Sequence, residues 1–279
     1  MTINQLETKA TKLRKLIVKI ACSSDCGHIT SSLSCLDILN ALYLGKILRY
    51  ESNNQNWLER DRFVASKGHA SLALYCVLRE VGFINREFLL TYGKPGSHLG
   101  GSLSLEVPGV DWHTGSLGHG LSAGVGFALA AKIQKSDRLV FVLTGDGELD
   151  EGSNWEAALS ASQLALNNLV WIVDKNNIQC SGSVSDIVSL EPLGAKLSAF
   201  GFDVKTISGH NYNEIMKTLS IDRDKLPAKP LAVIANTIKG NGIPLVENKL
   251  DWHNRKPNEE ELKLIIRDFG ITREEYDAL

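Results

Sequence analysis

The sequence predicts an α/β fold, a mostly parallel, twisted sheet with helices on both faces. Three observations lead there. Short apolar runs at 139–144, 169–173 and 231–235 recur between segments of helical periodicity. These runs are continuous rather than alternating, as strands covered on both faces are. No composition shift, linker, repeat or low-complexity segment divides the 279 residues, so they are read as one domain spanning 1–279.

In chain order, residues 4–21 carry Leu6, Leu13, Leu16, Ile17 and Ile20 on one side, with Lys9, Lys12, Lys15 and Lys19 largely elsewhere. That spacing predicts an amphipathic helix. A second helix is predicted over 34–48, after the Gly27-His28 turn, and a short strand over 62–66. The strand runs through Lys67-Gly-His69 into a helix over 71–81. Residues 93–120 are glycine-rich, with His98, His113 and His119 interspersed. A loop of that length in a compact domain is expected to have a function. An Ala/Gly-rich helix over 121–132 suits close packing. Strand 139–144, helix 153–166, strand 169–173, helix 190–200, strand 203–207, helix 211–219 and strand 231–235 then alternate. The last thirty residues read as polar helix, capped at Asn258 ahead of Glu259, Glu260 and Glu261.

Composition narrows the class of partner. The chain is 43% hydrophobic and 22% charged, with 30 basic and 32 acidic residues giving a net charge of −2. No basic block points to nucleic acid or an anionic membrane. No run approaches the roughly 18 apolar residues of a membrane span. The N-terminus lacks the pattern of a secretory signal. Five cysteines, Cys22, Cys26, Cys35, Cys76 and Cys180, have no zinc-finger spacing and read as buried or half-buried thiols of a reducing cytoplasm.

Ligands of open α/β sheets sit at the carboxyl ends of strands. One predicted strand ends in Gly145-Asp146-Gly147 and the next in Asp174-Lys175-Asn176-Asn177. Gly145 and Gly147 let the backbone turn and approach an anionic group without a Cβ in the way. Asp146 offers a carboxylate oxygen, and Asn176, thirty residues on, an amide oxygen. With a loop carbonyl and ligand phosphate oxygens they would make the mixed octahedral shell that magnesium prefers. Gly-Asp-Gly alone is common in turns. GDGELDEG after one strand and DKNN after the next are far more specific.

These two segments resemble the thiamine diphosphate signature, which opens on GDG and closes on NN. Around them stand Cys26-Gly27-His28, the run Arg60 to His69, Thr114 to Gly118, Gly145 to Gly152, Ser208-Gly209-His210, Thr237 to Gly240 and Asp251-Trp252-His253. Their order resembles that of transketolase N-terminal segments over nearly the whole chain, and the length is similar to the N-terminal subunit of transketolases divided between two chains. The resemblance implies the diphosphate-binding domain of a thiamine diphosphate enzyme. Its activity would be transfer of a two-carbon ketol unit from a ketose donor, such as a sugar phosphate, to an aldose acceptor. Asp146 and Asn176 by side chain, and Ile178 by its carbonyl, would hold a divalent metal: magnesium, or else calcium or manganese. His69 and His253 would contact the diphosphate, and Gly115 and Leu117 would line the cofactor rings. His28 would face the donor near its reactive carbon. Glu151 and Glu156 would lie near the interface linking two active sites, although Glu156 also reads as a solvated helix residue. His210 belongs to the motif set or merely caps a helix.

The family's activating glutamate belongs to a pyrimidine-binding domain that nothing in this sequence resembles. The implied partner is therefore a second subunit carrying the pyrimidine-binding and C-terminal transketolase domains, two copies of each chain forming a heterotetramer. One departure concerns substrate. Ser102, in Gly100-Gly-Ser-Leu103, falls where divided transketolases place a substrate-contacting histidine. His98, four residues earlier, could take over, and His113 and His119 also depart from the pattern. Either these histidines rebuild a donor site or they are tolerated loop residues. Two alternatives to ketol transfer remain at this point: acyl or glycolyl transfer to a carrier thiol, and a cofactor-binding subunit without catalysis.

Overall fold

A computed structural model describes residues 1–24 and 28–278. Cys26 and Gly27 of the first motif lie outside the described residues. The parallel strands β1 (Arg62–Ala65), β2 (Val140–Gly145), β3 (Leu169–Lys175), β4 (Asp203–Ser208) and β5 (Leu231–Asn236) form a sheet of order β1-β2-β3-β5-β4. β2 and β3 lie in its middle and are almost wholly buried, which is why their sequences are continuously apolar.

The two-residue period of a strand divides the core in two. Phe63, Phe141, Leu143, Val170, Ile172 and Val233 face one side, packed with α1 (Ile3–Cys22), α2 (Ile29–Tyr43), α3 (Ser71–Glu80) and α7 (Tyr212–Leu219). Val64, Val140, Val142, Trp171, Val173 and Ile234 face the other, against α4 (His119–Ile133), α5 (Gly152–Gln163) and α6 (Leu193–Ala199). Each large apolar side chain so buried contributes about 1.5–3 kcal/mol of transfer free energy. The predicted layering, helices on both faces, is what these residues build. The predicted cap at Asn258 is present too. Its side chain accepts from Glu261 N at 2.9 Å, closing a capping box on α8 (Glu259–Asp268).

The second helix is misplaced by the sequence pattern. It begins at Ile29 rather than 34, and residues 44–48 form a turn. All fifteen of its residues are buried, Thr30, Ser31, Ser32 and Ser34 included, so no amphipathic stripe marks its start. Two of those hydroxyls have distant partners. Thr30 Oγ1 donates to Trp252 O at 2.9 Å, and Ser34 Oγ donates to Asp174 Oδ2 at 2.6 Å. The helix is thereby held against the carboxyl ends of the strands.

The 93–120 loop has no long element, as expected, but it is tied down. Tyr75 Oη donates to Ser102 O at 3.0 Å, and Leu103 N donates to Thr114 Oγ1 at 2.9 Å. Buried Asp111 accepts from Arg60 and from Phe63 N. α4 starts two residues before the predicted 121, which makes His119 its first residue.

Candidate active site

The ends of β1, β2, β3 and β5 open into a cavity of about 410 Å3. Its lining includes His28, His69, Gly115, Leu117, Gly145, Asp146, Gly147, Asn176, Ile178 and His253, the residues singled out by motif. His28 precedes α2 and pairs with Arg255 through a parallel bridge, which brings chain segments far apart in sequence together. The rings of His28, His69 and His253 sit 5.6–6.0 Å apart, centroid to centroid. The loop can close over His69 because residue 68 is glycine. A Cβ there would stand 2.1 Å from Thr114 Oγ1.

Below this group lies a charged network that motif reasoning did not assign. Asp174 accepts from Lys67 Nζ, from Thr237 Oγ1 and from Ser34. Lys67 and Asp174 are both fully enclosed. Burial alone would lower the lysine and raise the carboxyl; their attraction outweighs it and keeps both charged. Glu148 caps the turn after β2, accepting from Ser66 Oγ, Gly118 N at 2.9 Å and Gly145 N at 3.1 Å. Lys239 donates to Ile178 O at 2.9 Å and lies 3.0 Å from His253 Nδ1. The available signal was charge placed immediately after apolar strands or inside quoted motifs: Lys67 in SKGH, Asp174 after LVWIV, Lys239 in TIKG.

Electrostatics follow from this crowding. Burial, with Asp174 nearby, pushes the Asp146 carboxyl up to about 6. Burial and the Lys67 charge bring the Lys239 ammonium down to about 8. Burial and Lys239 take His253 down to about 4. His69 falls well below the ordinary histidine range from burial and Lys67, and His28 is lowered by burial and Lys239. The histidines are therefore neutral near pH 7, with two lysines supplying positive charge.

Asp146 Oδ2 accepts from Asn177 N at 2.5 Å and Oδ1 from Gly147 N at 3.0 Å, while Asn176 Oδ1 accepts from Ile178 N at 3.1 Å. These bonds tie both side chains to the backbone of the 176–178 turn, and all three residues line the cavity. No cluster of three or more His, Cys, Asp or Glu able to hold a metal occurs among the described residues. A cation at this oxygen set would need ligand oxygens to complete its shell.

The remaining expected residues lie elsewhere. His98 is exposed, pairs with Glu106, and does not line the cavity. Gly101 and Ser102 do. His113 Nδ1 accepts from Leu105 N at 3.0 Å within the loop. Glu151 and Glu156 are exposed at the start of α5, outside the cavity lining. Cys180, expected as a buried or half-buried thiol, is exposed at the cavity's edge.

A parallel α/β sheet with anion-binding groups and a hard-oxygen set at its carboxyl ends defines a nucleotide- or diphosphate-cofactor enzyme domain. Residues 6–278 match the family model described as transketolase, thiamine diphosphate binding domain. The chain belongs to the transketolase family. It is 43% identical over 269 residues to one of the subunits of the apulose-4-phosphate transketolase of Phocaeicola vulgatus, covering 96% of this chain and 95% of that one. It is 39% identical to a 6-deoxy-6-sulfo-D-fructose transketolase subunit of a Clostridium species, covering 94% and 95% respectively. The crystal structure of Campylobacter jejuni transketolase superposes with a TM-score of 0.90 at 34% identity. That match covers 97% of this chain but 43% of the Campylobacter chain. No helix among the described residues is long and apolar enough to cross a membrane.

Proposed function

We propose that this chain is the cofactor-holding subunit of a two-chain transketolase that moves a two-carbon ketol unit from an anionic ketose to an aldose. The observation that carries the reading is the convergence of Asp146, Asn176, Ile178, His69, His253 and Lys239 on one cavity at the strand ends. The cavity fits the cofactor. A Cβ on Gly145 or Gly115 would meet nothing within 4 Å, so side chains there would fill the cradle. Thiamine diphosphate, when bound, supplies a nucleophilic carbon and an electron sink.

The chain's own residues then divide the work. Asp146, Asn176 and the Ile178 carbonyl hold a divalent cation, magnesium being the ion their hard oxygens suit, with calcium or manganese as substitutes. His69, His253 and Lys239 meet the diphosphate. Gly115 and Leu117 flank the rings, and Gly145 and Gly147 leave the backbone open to the anion. His28, also in the cavity lining, would exchange a hydrogen bond with a substrate oxygen.

A partner chain completes the site. Among the described residues, the carboxyl groups lining the cavity are Asp146 and Glu148. Glu148 is fully engaged with Ser66, Gly118 and Gly145. Neither is free to serve as the acid that activates the cofactor ring. The relatives are themselves named as single subunits of a transketolase, which supports the same reading. Glu151 and Glu156, exposed at the start of α5, are where the partner or a second copy would touch, in an assembly of two copies of each chain. The donor reading follows the relatives, one named for apulose-4-phosphate and one for a sulfonated fructose. Ketoses carrying phosphate or sulfonate are the first to assay, in a cytoplasmic setting.

The test is ketol transfer by this chain with and without its partner, given thiamine diphosphate, magnesium and a ketose phosphate. Activity is expected only in the assembled pair. Full turnover by the chain alone would overturn the need for a partner, and none with both chains and any anionic ketose would overturn the reaction.

A further inference from the structure

His210 does not line the cavity, yet contacts join it to the groups that do. Capping of α7 falls to Asn211, whose side chain accepts from Asn213 N and Glu214 N, so His210 is free for another task. Its Nε2 accepts the Ile238 N–H at 2.8 Å. Its Nδ1 faces Asp37 Oδ2 at 2.8 Å. A carboxylate only accepts and the amide only donates, so the two partners select one tautomer, with the proton on Nδ1. Asn241 Nδ2 lies 3.0 Å from that nitrogen and 3.2 Å from Asp37 Oδ2. Two donors meet at the first contact, so the amide bonds the carboxylate.

Asp37 is an anchor rather than a loose partner. It is 2% exposed, and Arg14 Nη2 at 2.5 Å and Tyr212 Oη at 3.0 Å also donate to it. Burial alone would raise this carboxyl; His210 and Arg14 more than offset that and keep it ionised. Arg14 reaches on to the Asn241 carbonyl at 3.2 Å. α1, α2 and the turn after β5 are thus fastened at one buried point.

The bonded amide, Ile238, stands between two side chains of the cavity network. Thr237 donates to Asp174, and Lys239 reaches the Ile178 carbonyl and His253. We propose that His210, braced by Asp37, is a positioning residue for the cofactor site: it pins the backbone at Ile238 so that Lys239 delivers its ammonium to the diphosphate end of the cavity. The proposal rests on reading that cavity as the thiamine diphosphate site.

The two ring nitrogens can be replaced one at a time. In His210→Asn the amide can still donate to Asp37, but no acceptor reaches Ile238. In His210→Gln the amide oxygen reaches the position of Nε2. Cofactor affinity is measured by fluorescence titration with magnesium present, on the full chain assembled with its partner, alongside kcat at saturating cofactor and melting temperature without it. His210→Asn is expected to weaken cofactor binding by roughly tenfold, the scale of lost outer-sphere support. Its kcat at saturating cofactor should stay within about twofold, and His210→Gln should recover most of the affinity. In a Lys239→Met background, His210→Asn should add little, because the effect passes through Lys239.

Additive losses in that cycle, or a lowered melting temperature with wild-type affinity, would overturn the proposal and leave His210 a structural residue. A wild-type complex that binds no thiamine diphosphate would overturn the cofactor-site reading and this inference with it. Wild-type binding with an additive cycle overturns the inference alone.

Discussion

The floor and the rim of the cavity are built in opposite ways. The floor stands on the ends of four parallel strands, and its charged groups are buried and mutually bonded: Lys67 with Asp174, Glu148 with Gly118 and Gly145, Asp146 with Asn177. The rim belongs to the 93–120 loop, where Ser102, His98, His113 and Gly115 are exposed. Side chains on the floor are held in one geometry by several partners, whereas these rim positions are exposed on a loop whose backbone is tied down. On the proposed reading, most cofactor contacts fall on the floor, with Gly115 and Leu117 as the loop's share, and the substrate meets the rim.

Four experiments set floor against rim, from the largest effect to the smallest. Asp146→Ala removes a charged oxygen from the proposed metal shell, and turnover of the assembled enzyme should fall on the order of a thousandfold. Dialysis against a chelator should do the same reversibly; undiminished turnover in the variant would place the metal elsewhere, and undiminished turnover after chelation would remove the metal from the reading. Lys67→Met leaves Asp174 buried without its counter-ion and should cost about 3–5 kcal/mol of unfolding free energy. Denaturant titration measures that loss, and a change under 1 kcal/mol would make the floor no more rigid than the rim.

The third experiment uses pH. His253 has a folded value of about 4 against 6.5 unfolded, so the unfolded chain binds its proton more readily. Its contribution to stability is present above pH 6.5 and is lost as pH falls toward 4. Asp146, raised from 3.8 to about 6, works in the other direction, stabilising the fold as it takes up a proton. Comparison with His253→Gln isolates the histidine. The stability difference between wild type and variant should shrink by on the order of 1 kcal/mol between pH 7 and 4.5, after discounting for its partial exposure. A difference independent of pH would contradict the neutral histidine cluster.

Ser102→His and His98→Ala probe the rim and should leave stability within about 0.5 kcal/mol. Cofactor affinity should also be unchanged. Ser102 lines the cavity and His98 does not, so the donor KM should respond to the first substitution and not to the second. The reverse pattern would return His98 to the donor site.

The strand ends were legible because apolar runs stop abruptly at polar, oxygen-bearing residues: Leu139–Thr144 at GDG, Leu169–Val173 at DKNN. Family order brought His28, His69 and His253 into one group, and the structure joins them. Lys67, Asp174, Lys239 and Glu148 escaped because their meaning lies in pairs distant in sequence. Lys67 and Asp174 stand 107 residues apart, and neither local pattern names the other. The start of α2 escaped for the opposite reason, since a helix buried all round carries no stripe. His98 was placed by loop spacing alone, and a loop's spacing does not say which way its side chains turn.

The bridge from His28 to Arg255 and the bond from Thr30 to Trp252 join the two extremes of the site's sequence span. A ligand seated between His28 and His253 therefore draws on structure that exists only after the whole intervening sheet has assembled. Parallel strands paired across such separations form late and slowly. Mass action on that late-forming cavity stabilises the sheet throughout, by RT ln(1 + [L]/Kd), rather than one loop of it. Occupancy by the cofactor is thus coupled to the folded state of the whole sheet, and a measured rise in unfolding free energy with cofactor concentration would report that coupling.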